Sequence, residues 1–229
     1  MRILLGIAVL PPLLLIIYIY RRDQVEKEPL GLLAKLFLLG AVSVFPAALA
    51  ETIGEQLLSN LYLENTTYYN LIDCFLIIGI AEEGLKYLVL KKVTWKHPAF
   101  NYRFDAIVYA VCVSLGFALL ENVMYVFIGG VSTGVVRAFT AIPAHAINAI
   151  YMGYYVGQAK LCEKYGEVNG EISDLRMAFF VPVFLHGFYD FCAMQATDFF
   201  TICFIIFVIM MDILAVTRIR RSSKNDVAL

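Results

Sequence analysis

The sequence predicts an all-α, polytopic membrane helical bundle of about seven transmembrane helices. Three observations carry that prediction. Of 229 residues, 61% are hydrophobic and 16% charged, with a mean hydropathy of +0.75, whereas soluble domains hold about 45–50% apolar and about 25% charged residues. Seven apolar stretches approach the roughly 20 residues a helix needs to cross the hydrocarbon core. Lys and Arg crowd into alternate connections between those stretches. The composition excludes disordered, collagen-like and disulfide-stapled chains. A net charge of −1 leaves no basic footprint for nucleic acid.

The first span, Ile3–Tyr20, contains Pro11-Pro12. It is longer than a signal-peptide core and has no A-x-A site before Arg21, so it reads as a retained helix. Leu30–Ala50 is the second. The third, Tyr68–Leu90, is apolar apart from a charged cluster near its middle. Asp105–Ile128 and Val135–Ala159 come next, then Met177–Ala196 and Phe199–Thr217. Arg21, Arg22 and Lys27 follow span one; Lys91, Lys92, Lys96 and Arg103 follow span three. Lys160, Lys164 and Arg176 separate spans five and six, and Arg218, Arg220, Arg221 and Lys224 follow span seven. The connections Glu51–Thr67, Gly129–Gly134 and Gln195–Asp198 hold no Lys or Arg. This alternation places the N-terminus outside and the C-terminus in the cytoplasm. The longest soluble segments, Glu51–Thr67 and Leu161–Leu175, are too short for domains. The chain therefore reads as one multi-pass domain over residues 1–229. The five cysteines form no CxxC, so neither a zinc ribbon nor a disulfide framework is indicated. No internal repeat of the kind common in transporters is evident.

Ionisable side chains inside spans are costly and mark function by default. Four clusters stand out: Glu82-Glu83-Gly84-Leu85-Lys86, then Phe117 through Glu121-Asn122, then His145 to Asn148 behind Arg137 and Thr140, and finally His186 through Asp190. Lys86 is i,i+4 from Glu82 and i,i+3 from Glu83, so it can neutralise either carboxylate. His186 and Asp190, at i,i+4, share a face. All lie at internal depths, so one water-filled cavity could hold them. Singly, each cluster also suits a buried ion pair, a kink cap or interhelical glue. Together they are a heavy polar load for packing alone. His97 is read as a loop residue.

Such a set can activate a water with a glutamate base and stabilise an oxyanion with a carboxylate-oriented histidine. His145, His186 and the acids could instead ligate zinc, but HExxH and HxxxH are absent, so no cofactor is indicated. A proton-coupled transporter and a non-catalytic scaffold are alternatives on the residues alone.

At these positions the chain resembles the PrsW family of bacterial intramembrane proteases, within the CAAX-processing and bacteriocin-processing superfamily. Glu82–Lys86 matches EExxK and His186–Asp190 matches HxxxD. Phe117–Glu121 matches FxxxH in spacing, with Glu in the histidine position, and His145 is the candidate to supply that imidazole. The likeness covers about residues 70–195. It implies Glu82, Glu83, Lys86, Glu121, His145, His186 and Asp190 as catalytic residues, with Glu82 ranked above Glu83 as base. Asn122 and Asn148 are the candidate substrate-binding groups. It also implies a membrane-spanning protein substrate such as an anti-sigma factor, cut in an envelope-stress response at the bacterial plasma membrane.

Overall fold

The computed structural model describes residues 2–195 and 197–229. Ala196, which closes the sixth predicted span, lies outside the described residues. The elements are α1 (Arg2–Arg22), α2 (Leu30–Val42), α3 (Val44–Ser59), α4 (Thr67–Ile72), a π-helical segment (Asp73–Ile78), α5 (Gly79–Thr94), α6 (Asp105–Phe139), α7 (Ala141–Tyr165), α8 (Val168–Gln195) and α9 (Asp198–Lys224). The all-α expectation holds. Five stretches are long and apolar enough to cross a membrane: Leu4–Arg22, Leu30–Ser59, Asp105–Tyr165, Val168–Gln195 and Asp198–Lys224. Exposed side chains such as Ile202, Ile206, Ile209 and Ile213 on α9 suit lipid rather than water. The chain is a multi-pass membrane protein.

The long stretch Asp105–Tyr165 folds back on itself. Gly130 has φ 76° and ψ −163° inside α6, a conformation that a residue with a Cβ adopts only with strain. Contacts across this point run antiparallel. Arg103 Nη1 donates to Gln158 Oε1 at 3.1 Å, Ser114 Oγ to the His145 carbonyl at 2.9 Å, and Arg137 Nε to Asn122 Oδ1 at 3.0 Å. The predicted connection Gly129–Gly134 is thus a reversal at one glycine, and helix resumes directly after it. A second break at Thr140 (φ −123°, ψ −73°) separates the short arm bearing Arg137 from α7.

Two other predicted connections are shorter than the charge pattern suggests. Glu51–Thr67 reads as an outer connection, yet α3 continues through Ser59. The absence of Lys and Arg there reflects a helix that carries acids into the bundle. Leu161–Leu175 shrinks to a tight turn, because α7 runs to Tyr165, Gly166 caps it at φ 72° and α8 begins at Val168. A left-handed glycine of this kind ends a helix by satisfying its last carbonyls.

The core is α6, packed by α7, α1 and α2. α2 lies so close to α6 that a Cβ on Gly40 would meet the Val113 carbonyl at 2.0 Å. At Ser43 the chain bends, its hydroxyl donating to the Gly40 carbonyl at 2.6 Å. α3 then leaves α6 and leans on the π-helical segment, where Gly54 faces Ile77. The space opened between α3 and α6 becomes the cavity described below. In α1, Pro12 lacks the N–H that would bond the Ala8 carbonyl. Asn122 Nδ2 supplies that bond from α6 at 3.2 Å.

The basic connections gather at one end of the bundle. Asn101 donates to Glu26, Ser223 to the Arg22 carbonyl, Lys164 to the Ala228 carbonyl at 3.0 Å, and Leu229 N to the Asn101 carbonyl at 2.7 Å.

Candidate active site

The charged cluster of α5 is aimed inward by the element before it. A π-helical turn widens the helix and shifts the register of the residues C-terminal to it, and such turns recur at functional sites. Two glycines then allow α8 to approach. A Cβ on Gly187 would lie 2.9 Å from Phe75 Cα, and one on Gly79 would lie 3.1 Å from the Val183 carbonyl. This approach brings His186, 103 positions along the chain from Glu83, into contact with it.

Lys86 Nζ is the hub. It donates to Glu82 Oε2 and Glu83 Oε1, each at 2.8 Å, and faces His145 Nδ1 at 3.2 Å. The Phe117 ring lies 4.1 Å beneath the ammonium, within cation–π range. Since an ammonium can only donate, His145 Nδ1 accepts, which leaves Nε2–H to donate to Glu121 Oε2 at 3.0 Å. Arg137 Nη2 reaches the same oxygen at 2.8 Å. The glutamate in the FxxxH-like position therefore acts on the imidazole supplied by α7, through a direct hydrogen bond.

His186 has carboxylates at both ring nitrogens: Glu83 Oε1 lies 2.7 Å from Nδ1, and Asp190 Oδ2 lies 3.1 Å from Nε2. Two acceptors suit a ring protonated on both nitrogens. Glu82 Oε2 is 3.7 Å from Nε2, and the two imidazoles stand edge to face at 5.4 Å.

A cavity of about 530 Å³ opens onto this network. Glu82, Glu121, His145, Asn148, His186 and Asp190 line it, together with Phe117 and Arg137. Glu83 and Lys86 lie behind this surface, 0% and 1% exposed. The structure thus separates the carboxylate pair. Glu82 faces the cavity, while Glu83 is sealed, with Oε2 buried and without a hydrogen-bond partner among the described residues. Asn122 is committed elsewhere, holding the Ala8 carbonyl and Arg137. Asp73, Glu51 and Glu55 also line the cavity, and no motif in the sequence points to them. The last two lie in the segment that reads as an outer loop.

A cavity lined by acids and imidazoles among helices apolar enough to cross a membrane defines a class, the membrane proteins with a buried polar site. The sequence profile described as "PrsW family intramembrane metalloprotease" matches residues 28–217. Protease PrsW of Oceanobacillus iheyensis is 33% identical over 224 residues, covering 98% of each chain. Protease PrsW of Bacillus subtilis strain 168 is 36% identical over 186 residues, covering 81% of this chain and 79% of that one. Protease PrsW of Clostridioides difficile strain 630 is 34% identical over 210 residues, covering 90% and 85%. No solved structure matches the chain. The chain belongs to the PrsW family of intramembrane proteases.

The family description implies a metal. Glu82, Glu83, His145 and His186 each place one donor atom within 4.8 Å of the others. Two imidazoles with carboxylates are a donor set that zinc accepts, and the orphaned Glu83 Oε2 is a buried oxygen without a partner. The residues fit a metal in type. Glu82, Glu83 and His145 also hold the Lys86 ammonium.

Proposed function

We propose that this chain hydrolyses a peptide bond within a membrane-spanning protein, a single-pass anti-sigma factor in an envelope-stress pathway, using a water activated by Glu82. The observation that supports this reading is the asymmetry of the carboxylate pair: Glu82 lines the cavity and Glu83 does not. Glu82 engages Lys86 through Oε2, and Oε1 makes no side-chain hydrogen bond among the described residues.

Glu82 Oε1 holds the water, takes its proton as the oxygen attacks the carbonyl carbon, and returns that proton to the leaving nitrogen as the C–N bond breaks. Glu83 holds His186 at Nδ1, and the Nε2–H, which Asp190 holds at 3.1 Å without substrate, turns to the developing oxyanion. Lys86 balances the carboxylate pair, whose burial without a cation would be prohibitive. Glu121 fixes the His145 tautomer, and Asn148 offers its amide to the substrate backbone.

A second reading is favoured by the four-donor cluster. Glu82, Glu83, His145 and His186 would hold a divalent metal, which when bound polarises a carbonyl and acidifies a water. Reconstitution in liposomes with single-pass substrates tests the proposal. Cleavage supports it; ion flux without cleavage, or neither activity, overturns it in favour of a transporter or a scaffold. Elemental analysis beside a chelator titration separates the two chemistries.

A further inference from the structure

At the basic end of the bundle, three acids from two segments of the chain converge. Asp23 and Glu28 lie in the linker between α1 and α2, and Asp105 opens α6. All are sealed from solvent, at 1%, 3% and 0% exposure. One oxygen from each lies within 4.8 Å of the others. A Ca²⁺ ion holds its oxygens at about 2.3–2.6 Å, so opposed ligands stand about 4.6–5.2 Å apart, and Mg²⁺ draws them somewhat closer.

The ordinary partners are only partly present. Asp105 Oδ2 accepts from Asn101 N at 3.0 Å and Tyr102 N at 2.7 Å, which fixes the carboxylate and leaves Oδ1 buried with no hydrogen-bond partner among the described residues. Asp23 Oδ2 is likewise buried and unpartnered. Glu28 accepts from the Tyr109 hydroxyl. Lys27, in the same linker, spends its ammonium on the main-chain carbonyls of Tyr20 and Asp23. Glu26 and Asp226 add further negative charge around Asp23. Two unpartnered oxygens on buried carboxylates, beside a third carboxylate, form a built acceptor cage rather than a solvated acidic patch.

We propose that Asp23, Glu28 and Asp105 bind one hard divalent cation, Ca²⁺ or Mg²⁺, that staples the α1–α2 linker to the start of α6. The all-oxygen donor set disfavours zinc, which takes nitrogen and sulfur more readily. The site is separate from the Glu82–His186 cluster and does not depend on how that cluster hydrolyses its substrate. Burial pushes Asp23 up to about 6 and raises Glu28 and Asp226 in the absence of a cation. Ion binding and proton binding therefore compete there.

Tb³⁺ is a suitable probe, because Tyr109, bonded to Glu28, can sensitise its emission. Purified full-length protein in neutral detergent should show saturable emission on tyrosine excitation, competed by Ca²⁺ or Mg²⁺. Asp23→Asn and Glu28→Gln should each weaken binding by about tenfold or more, whereas Glu82→Gln should leave it unchanged. Wild-type melting, followed with excess Ca²⁺ or Mg²⁺ against chelator, reads the same site without any variant and should shift upward saturably. No saturable emission would overturn the proposal, and so would emission lost only in Glu82→Gln. A melting point that tracks pH between 5 and 7 but ignores both cations would assign the cluster to shared protons and also overturn it.

Discussion

Glu82→Gln is the sharpest probe of the hydrolytic reading. The change keeps the side chain's size and one carbonyl oxygen but removes the base. Losing a positioned general base costs about 10²–10⁴-fold. Glu82 is proposed both to take the water's proton and to return it, so the expected loss lies in the upper part, about 10³–10⁴-fold in kcat. At 1.36 kcal/mol per factor of ten, that is about 4–5.5 kcal/mol of barrier. The fold should survive. Lys86 keeps Glu83 Oε1 at 2.8 Å and His145 Nδ1 at 3.2 Å, so no buried ammonium is orphaned and the cost of about 3–5 kcal/mol for breaking a buried pair is not incurred in full. The assay is cleavage of a single-pass substrate by variant and wild type reconstituted at equal density, with substrate binding measured separately. Turnover within tenfold of wild type by a properly inserted Glu82→Gln, with Glu83→Gln inactive, would move the base to Glu83 and refute the argument from cavity exposure.

Other perturbations test the same geometry. Lys86→Met leaves two buried carboxylates without their shared cation and should lower stability by about 3–5 kcal/mol, read by thermal denaturation in detergent. His186→Ala should reduce turnover by about 10²–10³-fold with substrate still bound, whereas stoichiometric zinc in wild type that is absent from this variant would replace the metal-free chemistry. In a cysteine-free background, cysteines at the exposed positions Ser59 and Ser132 should react with an impermeant thiol reagent in intact cells, and one at exposed Lys224 should not; the reverse pattern would invert the topology. Asp23, whose carboxyl burial raises to about 6 from 3.8, favours the protonated form when folded. Cation-free protein should therefore gain stability from this group as pH falls from 7 through 6 toward about 4, and hold that gain below about 4, where the unfolded carboxyl is protonated as well.

The local pairings were legible because helical periodicity dictates them: Glu82, Glu83 and Lys86 at i,i+3 and i,i+4, and His186 above Asp190. The pairings between distant segments were not. The contact of His186 with Glu83 depends on two glycines meeting another helix, and neither carries a local signature. The bond between Arg137 and Glu121 exists because the chain reverses at Gly130, which spacing alone renders as a six-residue connection. Glu51 and Glu55 were hidden by the very rule that located the spans, since a stretch with acids and no Lys or Arg reads as an outer loop. The π-helical segment before α5 left no trace in composition, because Asp73–Ile78 is as apolar as an ordinary helix interior.

Pro12, a residue with nothing to offer chemically, stands at one end of an unbroken line of hydrogen bonds. By withholding its N–H it frees the Ala8 carbonyl for Asn122, which holds Arg137, which grips Glu121, which orients His145 against Lys86. Members of such a line do not contribute independently. Substitutions on the first helix and in the hydrolytic pocket should therefore be epistatic. A variant that is harmless in one background should be crippling in another, and changes in α1 should reach the chemistry proposed for α5.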